Sequence, residues 1–181
     1  MLGDISDYQN NSDYWYILIA ILVVDIVVLF FARYFPDILG KNLNIWYDRF
    51  DILAVISDVF IIAIGFAITR YLYTKFFTPV MSWSPLYFIS LLVLVQLIHD
   101  IIFYLGPILN IPKGHNEMMD VFRAYSTGGA KILAGDAGLM ISSALLAMIL
   151  KELPEHITAS VGLLAVYTAP YILFTKNKFS E

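Results

Sequence analysis

Apolar residues in this chain run in long blocks separated by short polar breaks. A helix needs about 20 such residues to cross the hydrocarbon of a bilayer. Five blocks qualify, at 14–34, 51–73, 85–105, 130–150 and 157–174; the last is the shortest and holds Gly162 and Pro170. The breaks carry turn residues: Pro36 and Gly40, Pro79 and Pro85, Gly106-Pro107 with Pro112, and Pro154. A shorter pattern lies between the third and fourth blocks. There Met118, Val121, Phe122 and Tyr125 fall at i, i+3, i+4 and i+7, Asn116 stands as N-cap, and Gly128-Gly129 ends the run. This predicts a helix over 114–127 lying in the membrane interface, apolar face down. No internal repeat is evident. The expectation is a single domain over 1–181, an all-α polytopic transmembrane bundle of about five spans with an amphipathic interfacial helix before the fourth and an acidic external tail at 1–13.

Composition agrees with the pattern. The chain is 60% hydrophobic and only 14% charged, against about a quarter charged in a soluble domain. A formal net charge of −4 with no basic run argues against a nucleic-acid partner. The absence of cysteine excludes disulfides, thiolate metal sites and cysteine nucleophiles. No basic region precedes the first apolar block, which is too long for a signal-peptide core and reads as an uncleaved membrane helix.

Basic residues in the breaks set the expected orientation. With the N-terminus outside, Arg33, Lys41, Arg49, Lys113, Arg123, Lys131, Lys176 and Lys178 fall on the cytoplasmic side, and only Arg70, Lys75 and Lys151 fall outside. N-out and C-in is therefore expected. Tyr14, Trp15, Tyr16, Trp46, Tyr47, Tyr71, Tyr73 and Trp83 flank the blocks and read as interfacial anchors. Asn10-Asn11-Ser12 forms a glycosylation tripeptide on the outer side.

Four of the five blocks hold an aspartate: Asp25, Asp58, Asp100 and Asp136. A carboxylate at mid-helix costs roughly 2.5–3.5 kcal/mol on insertion scales, so these groups are expected to face the bundle interior. At a rise of about 1.5 Å per residue, Asp58, Asp100 and Asp136 fall at one level, roughly 8–11 Å from the cytoplasmic side, with Asp25 nearer the midplane. Gln96, His99 and Asp100 share one helix face. Asp25, Asp58, Gln96, His99, Asp100 and Asp136 are therefore the candidates for a proton or cation site. The bland alternative is that the aspartates tie helices together, at about 0.6–2 kcal/mol per interhelical bond.

On the fourth block, Ala130, Ala134, Gly138 and Ser142 form a small-residue stripe for helix packing. Asp136, Met140 and Ser143 lie on the other side, so this helix is expected to be the most buried. His99, Asp100, Asp136, His115 and Glu117 lack metal-ligand spacing, so no metal and no cofactor is expected. Lys131, in the first turn of its block, reads as a snorkelling residue. No catalytic motif is present, and no catalytic residue is assigned.

The stretch from His99 to Ala147 contains a P-K-G-H-N turn, an M-M-D-V-F-R-A-Y helix and a G-A-K-I-L-A-G-D-A helix start. In these it resembles a family of uncharacterised multi-pass membrane proteins of large nucleocytoplasmic DNA viruses. The resemblance implies a virion or infected-cell membrane as the setting, and no activity. Three functions follow in order: a viral membrane protein with a structural or membrane-organising role, a proton or cation channel or transporter, and an intramembrane lipid-modifying enzyme. The expected partners are the lipid bilayer, a second copy of the chain, or other membrane or capsid proteins.

Overall fold

The computed structural model describes residues 2–36 and 41–176, without the side chains of 41 and 42. Gly40, Lys178 and the Lys41 side chain, used above, lie outside the described residues. Every regular element among the described residues is helical: α1 (Asp13–Tyr34), α2 (Lys41–Phe50), α3 (Ile52–Phe76), α4 (Pro85–Phe103), α5 (Glu117–Ser126), α6 (Ala130–Glu152) and α7 (Glu155–Leu173). The expected break at Gly106-Pro107 is instead a π-helical turn, Tyr104–Ile108, that prolongs α4. The carbonyls at the end of this helix, which have no following turn to bond, are met by side chains instead: Asn110 Nδ2 donates to Leu105 O at 2.9 Å and Gly106 O at 2.7 Å, and Arg123 donates to the Ile108 and Ile111 carbonyls.

Five helices are long and apolar enough to cross a membrane: α1, α3, α4 with its π turn, α6 and α7. The chain is an integral membrane protein of the helical-bundle class. Helices α1, α3, α4 and α6 close a four-membered ring, each packing on two neighbours, and α7 lies outside it against α1. Consequently α1 is the most enclosed helix, with 44% of its membrane-length window buried against 28% for α6. This corrects the expectation for the fourth block. The cause is α7, which covers the remaining face of α1; Gly162 lets Ile19 approach so closely that an added Cβ would lie 3.0 Å from its Cδ1. The stripe of Ala130, Ala134, Gly138 and Ser142 is exposed throughout, and nothing lies within 4 Å of a Cβ built on Gly138. Within the chain it packs no helix, a second correction.

Two short amphipathic helices cover one end of the ring. Asn116 caps α5 as expected, accepting from the Met119 N–H at 3.2 Å. Its apolar face, however, packs on protein: Phe122 lies against Trp46 and Phe103, ring centroids 4.8 and 5.5 Å away. The other short helix, α2, falls in a break. Arg33, 5% exposed, ties it to the bundle by donating to Asn44 Oδ1 at 3.2 Å, to Asp48, and to Leu173 O on α7 at 2.9 Å.

The junctions from the short helices into the ring share one backbone conformation. Asp51 before α3 has φ 47° and ψ −128°, and Gly129 before α6 has φ 54° and ψ −130°. Positive φ suits Gly129 and strains Asp51. Tyr47 and Tyr125 stand four residues before their junctions, and Asp58 and Asp136 stand seven after. At the same offset, Ile62, Gly65, Phe66 and Thr69 of α3 match Met140, Ser143, Ala144 and Ala147 of α6, all buried. When α1 is mapped onto α4 and α3 onto α6, the ring contacts map onto themselves. The ring is thus two helix–short helix–helix units, α1–α2–α3 and α4–α5–α6, side by side in the same sense. A repeat was not evident in the residues because 41–73 and 119–151 share only Tyr47/Tyr125, Asp58/Asp136 and Leu72/Leu150.

The opposite end is closed by residues 2–12, which do not form a free tail. Ile5 is fully buried, and Gly3 N donates to Met148 O at 3.1 Å. Arg70 and Asp13 are both fully buried and ion-paired at 3.4 Å, and Lys151 meets the other Asp13 oxygen at 2.6 Å. Arg70 also donates to Asn10 O at 2.7 Å and to Asp7 O, and stacks on the Tyr14 ring at 4.5 Å. Arg70 is therefore a buried tether, in place of an exposed loop cation.

Candidate functional site

Each helix of the ring contributes one aspartate near the end covered by α2 and α5. Asp25 on α1 is 1% exposed. Its Oδ1 accepts from the Tyr47 hydroxyl at 3.2 Å, while Oδ2 is buried without a hydrogen-bond partner. Asp58 Oδ2 on α3 accepts from Trp46 Nε1 at 3.0 Å, and the Tyr47 hydroxyl lies against the same carboxyl. Asp100 Oδ1 on α4 accepts from Gln96 Nε2 at 2.6 Å and faces His99 Nδ1 at 3.2 Å; its Oδ2 too is buried and unpartnered. Asp136 on α6 stands within electrostatic reach of Asp100, Asp58 and His99. All six polar residues singled out within the spans thus occur in one region.

The two short helices supply the groups that sequence reasoning missed. Burial, then the charges of Asp25 and Asp58, push the Tyr47 hydroxyl well above the ordinary tyrosine range. Burial, then the charges of Asp136, Asp58 and Asp100, push the Tyr125 hydroxyl up in the same way. Tyr47 is therefore neutral and free to donate to one carboxylate while accepting from another carboxyl, and Tyr125 occupies the matching position in the other unit. Trp46 and Tyr47, read as interfacial anchors, are 4% and 1% exposed and belong to the site. A signal was present: Leu43, Trp46, Tyr47 and Phe50 fall at i, i+3, i+4 and i+7, the same pattern that revealed α5.

None of the lysine or arginine ion pairs among the described residues involves Asp25, Asp58, Asp100 or Asp136. Like charges held together without a cation in a low-dielectric interior favour sharing protons or taking up a cation. Among the described residues no three His, Asp or Glu side chains form a group that could hold a metal ion; the contacts in the cluster are pairwise hydrogen bonds. Toward the other end the ring is filled by Ile17, Ile21, Phe66, Phe88, Leu92 and Met140. At the junction end, a groove of about 220 Å³ lined by Ile45, Arg49, Asp120, Val121 and Ala124 opens between α2 and α5. No protein-family model, curated protein or solved structure matches the chain, so the chemistry of these residues carries the reading.

Proposed function

We propose that this integral membrane protein binds and releases protons, or a small cation, at the carboxylate cluster as part of their movement across the bilayer. The observation that carries the reading is a succession of four aspartates, one from each ring helix and each within electrostatic reach of the next, with an Asp25 oxygen buried and unpartnered. A helix tie needs one donor and one acceptor, and leaving a buried carboxylate oxygen open is costly. A proton site needs that open position. Parallel helical units with a polar site between them are also a common transporter plan, which is support by analogy of fold alone. The groove between α2 and α5 opens at the cluster's end of the bundle, the side on which exchange with water would take place, and the packed apolar half closes the other side. N-out and C-in orientation, as the basic residues suggest, would make the groove side cytoplasmic.

The test is reconstitution into proteoliposomes with an imposed pH or potential gradient. Wild-type protein is expected to dissipate the gradient, and the Asp25→Asn, Asp58→Asn and Asp136→Asn variants to lose most of that flux while keeping their helical content. Absence of flux from wild-type protein under both gradients would refute transport.

A structural role in a viral membrane is the second reading, and the open stripe of Ala130, Ala134, Gly138 and Ser142 favours it. Small residues on a lipid-facing surface let another helix approach closely, whether from a second copy or from another membrane or capsid protein. The resemblance to viral membrane proteins supports that setting. Mass spectrometry of purified particles tests it: abundance supports a virion role, and absence argues against one.

A further inference from the structure

The two units place matching groups around the cluster. In the first, the Tyr47 hydroxyl of α2 sits between Asp25 of α1 and Asp58 of α3. In the second, Tyr125 of α5 stands within electrostatic reach of Asp136 of α6, of Asp58 of the first unit and of Asp100 of α4. Both tyrosines hold the same place relative to junctions of the same backbone conformation. Apart from one leucine pair, the tyrosine and the aspartate are the only residues the two units share from α2 to the far end of α3. A packing role would be met by many apolar residues, and the neighbouring positions indeed differ between the two units.

We propose that the site is built around an Asp25–Tyr47–Asp58 relay, in which Tyr47 positions and passes a proton between its two carboxyls, while Tyr125 holds the corresponding place in the other unit. The step balances without charging the phenol. The O–H bond of a protonated Asp58 breaks as its proton joins the Tyr47 oxygen; the Tyr47 O–H bond breaks as that proton joins Asp25 Oδ1. The phenol ends neutral, and one negative charge has moved from Asp25 to Asp58. Asp58 also stands within electrostatic reach of Tyr125, so its charge is felt in both units. The groups facing Tyr47 are Asp25, Asp58 and Tyr125; those facing Tyr125 are Asp136, Asp58 and Asp100, with His99 beside Asp100. In this structure the two units differ: Tyr47 is hydrogen-bonded to Asp25 and Trp46 to Asp58, whereas Asp100 is bonded to Gln96 and the Tyr125 hydroxyl is bonded to neither Asp100 nor Asp136.

The inference rests on the proton-handling reading, and its test is an equilibrium measurement that does not depend on flux. Tyr47→Phe and Tyr125→Phe keep the ring and remove the hydroxyl. Infrared difference spectroscopy of purified full-length protein follows the carboxylic acid stretch as pH is varied, with the four Asp→Asn variants assigning the bands. Hydrogen bonds to charged groups contribute enough to displace a titration by about one pH unit. Tyr47→Phe is expected to displace the Asp25 and Asp58 bands by that amount, and Tyr125→Phe, which removes no hydrogen bond to a carboxyl, to displace them less. Asp25 and Asp58 bands that titrate as in wild type in Tyr47→Phe would overturn the relay. Wild-type protein without flux but with tyrosine-dependent titration would sustain the relay and remove transport.

Discussion

Asp13 and Asp25 lie on the same helix, both buried, and they are treated in opposite ways. Asp13 meets two cations, Arg70 at 3.4 Å and Lys151 at 2.6 Å, in a knot that also gathers backbone carbonyls of residues 2–12. Asp25 has one tyrosine hydroxyl at 3.2 Å, a second oxygen with no partner, and another aspartate, Asp58, as its charged neighbour. A paired buried charge is a fixture: removing one partner strands the other. An unpaired carboxyl among carboxyls can change protonation state at little structural cost. One end of the bundle is thus locked by charge neutralisation and the other is poised by its lack.

That contrast can be broken most forcefully at the locked end. Arg70→Ala removes a fully buried guanidinium and leaves the carbonyls of residues 7 and 10 without their donor. Breaking a buried pair costs about 3–5 kcal/mol, and Lys151 offsets part of it by still holding Asp13. Denaturation in detergent should show a loss of roughly that size, with faster proteolysis of residues 2–12. A variant as stable as wild type would mean that the knot is not a lock.

At the poised end, Trp46→Phe removes the donor to Asp58 but keeps an aromatic ring against Phe122. A loss of about 1–3 kcal/mol is expected, as for a hydrogen bond to a charged group. Asp25→Asn should be milder still, within about 1 kcal/mol of wild type, because an amide replaces a carboxyl that has no cationic partner. A large destabilisation by Asp25→Asn would erase the difference from Asp13.

The tyrosines give a pH signature. Both hydroxyls hold their protons more tightly in the folded chain than in the unfolded one. Their contribution to stability is therefore complete below the ordinary tyrosine value of about 10 and is lost as pH climbs from there through the folded values. Unfolding followed across that alkaline range should show the decline, and it should shrink in Tyr47→Phe. The smallest effect is expected on the exposed stripe. Gly138→Ala meets open space and should change monomer stability by less than about 0.5 kcal/mol, unless detergent-extracted protein proves to be an oligomer built on that face.

The apolar spans were legible in the residues because they follow from hydropathy, which needs no tertiary information. Other features depended on contacts made at long range. Residues 2–12 are polar and look like a tail until Arg70, some sixty residues away in sequence, is seen to hold Asp7 and Asn10. The α2 segment is too short and polar to register as a span, and Trp46 and Tyr47 have the composition of membrane anchors; only the partners Asp58 and Asp25 reveal their role. The stripe on α6 misled because small residues permit close approach without requiring it.

The most direct test of the shared cluster is electrostatic coupling between the two units. Carboxyl bands are titrated by infrared spectroscopy in wild type, Asp58→Asn, Asp136→Asn and the double variant. The expected result is that each single substitution displaces the titration of the remaining aspartates, and that the double variant departs from the sum of the two. If the remaining bands titrate as in wild type, the four carboxyls are independent and the cluster is four separate helix ties.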